Sequence, residues 1–184
     1  AGAILRKGIR DVAVLDGCMY VSADISAPGE ITRRSRILRV LFGDPSGGRA
    51  PHGEEILSAM KRAGLDAAEE PEIAKAVFKK FALLSPMAAA GAYYDADAGG
   101  LQAEGEPRET FATLLDELIA LAGAMDTPVS PSLKEDTLAA LSNFEPHVVT
   151  SLQKDLRKGR QSELDSLVFD VVRRFAQPLG IDLP

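Results

Sequence analysis

The chain has 184 residues, 46% of them apolar, with 27 acids against 21 bases and a formal net charge of −6 at pH 7. A mildly acidic chain without a basic block is a poor match for nucleic acid or an anionic membrane surface, and no apolar run approaches the length that spans a bilayer. The single cysteine, Cys18, excludes an internal disulfide and a thiolate metal cluster, and His52 and His147 have no second ligand at metal spacing.

In chain order, residues 1–70 have strand character and residues 71–184 helical character. Asp11–Leu15 and Cys18–Asp24 are rich in β-branched and aromatic residues. Pro28-Gly29 marks a turn, followed by candidate strands Glu30–Arg33 and Arg36–Phe42, an arrangement that suggests an antiparallel meander. Cys18 reads as a small buried hydrophobe, and Arg33, Arg34 and Arg36 as a solvated strand or turn. Gly43–Gly48 reads as a surface turn, because it has neither the G-x-G-x-x-G spacing nor the Walker lysine of a phosphate loop. A short helix is expected over Gly53–Ala63, with Gly64 as its stop, and one more strand over Leu65–Ala68.

Pro71 suits a first helical turn, and Ile73, Val77, Phe81 and Leu84 follow at helical spacing. Pro86 is expected to interrupt or end that helix. Gly91–Gly105 reads as a loop. A helix over 107–125 carries Leu114, Leu115, Leu118 and Leu121 on its apolar side. Further helices are expected from Ser132 (capping box with Glu135), from Pro146 to Gly159, and from Ser162 (capping box with Asp165) to Pro178 and Gly180.

On the first of these helices Lys80 lies about 60° from the centre of the apolar stripe, whereas Lys79 points almost to the opposite side. Lys79 is therefore a solvent lysine. Lys80 sits at the edge of a buried face, where its ammonium either meets an anionic partner or ligand or snorkels to water. Taken locally, Glu163 is a helix-opening carboxylate and Ser151 a neutral mid-helix residue.

These residues match a family pattern when taken together. Ile73–Phe81, containing Lys80, resembles the "W-x-K-[LF]" helix that opens the C-terminal domain of ketopantoate reductases (2-dehydropantoate 2-reductases). The run from Thr150-Ser151 through Asp155 and Arg160 to Glu163-Leu-Asp165 resembles that family's "S-S-M-x-Q-D-x-x-x-x-R-x-T-E-[IL]-D" signature, and Leu179–Pro184 its "h-G-I-x-x-P" close. Tyr20–Ala23, Pro28–Ile31 and Leu41–Gly43 are similar to strands that complete its nucleotide-binding sheet.

The resemblance implies an α+β chain. Its short mixed or antiparallel strands are the tail of a Rossmann-type domain, over residues 1–70. They precede an all-α C-terminal substrate and dimerisation domain, over residues 71–184, like that of 6-phosphogluconate dehydrogenase. It also implies NADPH-dependent reduction of a 2-keto acid in the cytoplasm. Lys80 matches the catalytic lysine, Glu163 the catalytic glutamate and Ser151 the substrate-binding serine. NADPH is expected to be held mainly by an N-terminal part with the glycine-rich motif, which this chain lacks. The chain opens at Ala1 without an initiator methionine, so it reads as a portion of a longer enzyme, inactive alone. Exposed sheet edges and half an interdomain cleft point to a homodimer.

Leu84 and Val148 stand where the family places asparagines that grip the hydroxylated substrate, and Phe78 stands where tryptophan is common. The two apolar replacements favour a less hydroxylated 2-keto acid. The alternative is a helical interaction or dimerisation module that kept the fold and lost catalysis.

Overall fold

In the computed structural model, which describes residues 2–9, 12–127 and 129–183, Pro28 and Gly29 form a tight turn between two long strands. Gly29 has φ +81°, a left-handed conformation open to glycine without steric cost. The strands β1 (Asp16–Ala27) and β2 (Glu30–Gly43) pair antiparallel from Asp16↔Gly43 to Ala27↔Glu30, with register shifts after Val21 and after Ile25. The two segments expected as separate strands, Glu30–Arg33 and Arg36–Phe42, are thus one. At the first irregularity the Ser35 hydroxyl accepts the Ser22 N–H at 3.1 Å and donates to the Ile37 carbonyl at 2.9 Å. A side chain takes over from the interrupted ladder, and the strand continues across the bulge.

A third strand, β3 (Asp66–Glu69), runs parallel to β2 on its other edge. The sheet is therefore mixed, in the order β1-β2-β3, and not an antiparallel meander. Parallel neighbours need a crossover, here carrying α2 (Gly53–Arg62); α1 (Gly2–Gly8) precedes the sheet. The expected strand at Asp11–Leu15 does not form over residues 12–15, and Asp11 lies outside the described residues.

The chain divides into two compact units, Ala1–Val77 and Phe78–Pro184. The division falls inside α3 (Ile73–Tyr93), after which come α4 (Ala98–Gln102), α5 (Glu106–Ala124), α6 (Leu133–Ser142) and α7 (Ser151–Arg157). The last segment consists of two wide-turned helical runs, Asp165–Phe169 and Val171–Ala176, and a tight turn at Gln177–Leu179. A small mixed sheet followed by helices is the α+β arrangement expected. None of the described helices is long and apolar enough to cross a membrane.

The second unit is built around α5. Its Phe111 and Leu115 are fully buried with Met87 and Ala90 of α3, Ala98 and Leu101 of α4, and Leu133 and Leu141 of α6. A second cluster joins Leu118 and Leu121 to Val171 and Ala176, with Phe78 and Phe81 of α3 packed against it.

This packing overrides several local expectations. Pro86 neither interrupts nor ends α3. A proline inside a helix costs roughly 3 kcal/mol, but this one is fully buried. Beside it the Ser85 hydroxyl donates to the Leu167 carbonyl at 2.6 Å. Gly91–Gly105 holds the end of α3 and all of α4, whose N-cap Asp97 accepts the Gly100 N–H at 3.0 Å. The helix expected from Pro146 starts at Ser151, because the Pro146 and Val148 carbonyls are engaged at 2.8 Å by the N–H groups of Gly99 and Ala98. The capping boxes expected at Ser132 and Ser162 are not made; the helices there begin without a side-chain cap.

Candidate active site

The two neighbouring lysines of α3 have different surroundings. Lys79 is exposed, and its ammonium donates to the Asp136 carboxylate of α6 at 2.6 Å. That bond and the lysine's charge hold the Asp136 carboxyl below its usual range. Lys80, one residue and 100° further round, is half-buried. At 100° per residue Leu84 lies about 40° and Gly91 about 20° from Lys80, so the three share one stripe along α3.

Gly91 is where α7 docks on that stripe. The side chain of Gln153 is buried, at 3% exposed, and its amide N–H groups donate to the carbonyls of Gly91 (2.9 Å) and Ala96 (2.8 Å). Its oxygen accepts from the Thr150 N–H at 3.0 Å and hydroxyl at 3.1 Å, while the Thr150 hydroxyl takes the Gln153 N–H. This reciprocal capping box starts α7. A Cβ on Gly91 would come within 2.9 Å of the Gln153 oxygen, so only glycine permits this approach. Ser151 is the first residue of α7 and is exposed, not mid-helix as expected. The structure thereby docks the start of α7 on α3 at Gly91, roughly 16 Å along the helix axis beyond Lys80.

Glu163 precedes the final segment. Its carboxylate is exposed, and its carbonyl accepts the Leu167 N–H at 2.9 Å and the Ser166 hydroxyl at 3.1 Å. The Ser85–Leu167 bond anchors this segment to α3, and Phe78 and Phe81 pack with the cluster holding Val171 and Ala176. Ser85 lies about 140° around α3 from Lys80, so the anchoring bond does not itself direct Glu163 toward the lysine.

Of the two positions where family asparagines are replaced, Leu84 is half-buried on the lysine stripe, and Val148 packs against the core around Phe111. Gln153 was missed by the sequence reading, although the T-x-x-Q spacing of Thr150 and Gln153 carries the capping pattern. A shallow hollow of about 510 Å³ between Tyr94 and α5 is lined by Glu106, Glu109 and Glu117, carboxylates that would repel a 2-keto acid. Burial pushes the Glu117 carboxyl above its usual range. Among the described residues no His, Cys, Asp and Glu group could hold a metal.

Neither the Gly43–Gly48 turn nor the start of α2 fits the phosphates of a nicotinamide dinucleotide. The Gly43–Gly48 turn closes on its own Asp44, whose carboxylate accepts the N–H (2.8 Å) and hydroxyl of Ser46; those bonds lower its carboxyl's pKa. At the start of α2 the Glu69 carboxylate takes the Ala50 N–H at 2.6 Å, so negative charge already fills the position an anion would occupy.

Comparison with known proteins agrees with the helical half. The family model described as "Ketopantoate reductase PanE/ApbA C terminal" matches residues 72–184. A 2-dehydropantoate 2-reductase of Caulobacter vibrioides is 28% identical over 185 residues, which covers 95% of this chain and 61% of that protein. The crystal structure of 2-dehydropantoate 2-reductase from Methylococcus capsulatus has a TM-score of 0.84 at 20% identity, covering 99% of this chain and 57% of that one. The ternary structure of D-mandelate dehydrogenase with NADH and anilino(oxo)acetate gives 0.84 at 17% identity, covering 99% and 59%. The two structures speak for the fold, and these relatives are oxidoreductases. The chain spans about half to three-fifths of the length of the curated relatives it matches. With its family model matched from residue 72 to the last residue, more than half of its length, the chain belongs to the ketopantoate reductase family and carries that family's C-terminal domain.

Proposed function

We propose that the chain is the substrate side of an NADPH-dependent 2-keto acid reductase, with residues 71–184 as the substrate and dimerisation domain and residues 1–70 completing the nucleotide-binding domain. The observation that carries this reading is the stripe on α3. Lys80, a half-buried residue, shares its helical stripe with Gly91, the docking point of α7, whose first residue is the family-matched Ser151. As the keto carbon is reduced, negative charge grows on the carbonyl oxygen. The Lys80 ammonium stabilises that charge and delivers the proton that completes the hydroxyl. Ser151 contacts the substrate by its hydroxyl. Glu163, with its carbonyl fixed by Leu167 and Ser166, presents a carboxylate that orients the substrate. The nicotinamide donor, held mainly by an N-terminal part of the longer protein, would supply the hydride.

The substrate we assign is a 2-keto acid with an apolar side chain. Leu84 occupies the lysine stripe where the family places an asparagine, and Val148 is taken up by the core, so two grips on a hydroxylated substrate are absent. The relative with bound anilino(oxo)acetate, an oxo acid bearing an aromatic group, supports the same direction. A site without those partners gains nothing from a substrate hydroxyl and must desolvate it, a difference on the order of 10–100-fold.

The test is steady-state turnover by the full-length protein that contains this chain, with NADPH or NADH and a series of 2-keto acids. A branched or aromatic 2-keto acid is expected to be reduced with kcat/KM at least about 10-fold above ketopantoate. Lys80→Ala is expected to lower kcat by roughly 10²–10⁴. Ketopantoate as the best substrate would overturn the apolar assignment. Neither turnover nor dinucleotide binding would overturn the reductase reading and leave the interaction module.

A further inference from the structure

We infer that Gln153 is a positioning residue for the substrate, setting where Ser151 stands relative to Lys80. This rests on the reading of Lys80 and Ser151 given above. The Gln153 amide is fully used. Two donors and two acceptor directions are spent on Gly91, Ala96 and Thr150, the most such a group can make in a buried place. Those partners belong to three separate pieces of chain: the end of α3, the turn that follows it, and the N-cap of α7. One side chain therefore fixes the start of α7 against α3.

The backbone bonds from Ala98 to the Val148 carbonyl and from Gly99 to the Pro146 carbonyl, both 2.8 Å, hold the segment before Thr150 to α4 and leave the docking on α3 to Gln153. A further polar tie, Arg157 to the Asp95 carboxylate at 2.7 and 3.0 Å, lies at the far end of α7. Its partners are 47% and 79% exposed, so it restrains little. Ser151 makes no core contact of its own to hold it, being exposed, and it inherits its position from Thr150 and Gln153 on either side. The neighbouring Leu152 is fully buried and supplies packing without direction. Hydrogen bonds set orientation here, and a reacting group displaced by about 1 Å loses on the order of 10²-fold in productive alignment.

Gln153 acts through Ser151 and touches neither the reacting carbonyl nor the donor. Its loss should therefore appear in substrate binding, with the chemical step at Lys80 left nearly intact. In the full-length protein, Gln153→Leu is expected to raise KM for the best 2-keto acid about 10–100-fold with kcat within about 3-fold of the parent. Gln153→Glu keeps the acceptor toward Thr150 but faces two carbonyls. Only its protonated form can donate to either, so its KM is expected to rise with pH between 5 and 8 relative to the parent's, while melting at each pH shows the protein folded.

Equal losses in kcat and kcat/KM, or a lowered melting temperature with KM unchanged, would overturn the proposal and make Gln153 a stability residue alone. A Gln153→Glu KM that tracks the parent across pH would do the same. Ser151→Ala and Lys80→Ala measured alongside separate the two levels. If Ser151→Ala raises KM and Lys80→Ala lowers kcat while the Gln153 variants leave KM alone, only this inference fails. If Ser151→Ala and Lys80→Ala change neither parameter, the substrate-site reading fails, and this inference with it.

Discussion

The far half of the β1–β2 hairpin and the α3–α7 junction solve opposite problems. At the hairpin, Ile25 and Ile31 sit opposite each other and both are 77% exposed. The ladder there passes two register shifts, and hydroxyls and an Arg34–Asp24 ion pair at 3.1 Å add to it. At the junction a polar side chain is buried with its whole hydrogen-bonding capacity used, and the neighbouring backbone has no room for a Cβ. Apolar groups left in water specify little, since no partner rewards one arrangement over another. A satisfied polar group in a dry place specifies a great deal, because every displaced geometry leaves a donor or acceptor unpaired.

The comparison predicts a graded set of stability changes. Phe111 is fully buried at the centre of the larger core, so Phe111→Ala is expected to cost about 3–5 kcal/mol in a urea titration; a cost below about 1 would mean that the helical unit tolerates voids as the hairpin does. Thr137 of α6 is buried, and its hydroxyl finds no partner among the described residues, which makes it an exception to the rule of satisfied polar groups in this unit. Replacing that hydroxyl by a methyl removes the desolvation cost without changing shape. Thr137→Val is therefore expected to stabilise by about 1 kcal/mol and raise Tm by several degrees. A fall in Tm would show that the hydroxyl is bonded in solution. The smallest effect belongs to the hairpin, where Ile31→Thr is expected to change stability by less than about 0.5 kcal/mol. A loss beyond 1 kcal/mol would mean that the exposed isoleucines are covered in solution and would erase the contrast.

Much of this architecture was legible in the residues. Pro28-Gly29 announced the hairpin turn, and the leucines of α5 announced a buried face, with Leu115, Leu118 and Leu121 buried as their spacing implied. Helical phase alone separated Lys79 from Lys80. What sequence could not show was which of several equivalent local patterns would be used. Ser132-x-x-Glu135, Thr150-x-x-Gln153 and Ser162-x-x-Asp165 have the same form, yet only the Thr150 box is made. There α7 is held against Gly91 and the glutamine cannot turn to water. Pro86 reads as a breaker because the cost of a missing N–H is local, whereas the burial that outweighs it comes from residues far along the chain. The split of β2 had a similar cause. The polar run Arg33–Arg36 has no strand pattern of its own, and the Ser22–Ser35 bond that carries it lies across the hairpin.

Because a single amide closes three separate stretches of backbone, none of the three can open alone. The Thr150 N–H, the Gly91 carbonyl and the Ala96 carbonyl are released only when Gln153 leaves its place. The end of α3, the turn after it and α7 should therefore exchange their amide hydrogens with deuterium as one cooperative unit, late in the time course. The far half of the hairpin should be deuterated within the first points. A slow opening of this unit as a whole, not local fraying of α7, would then set the rate at which its amides exchange.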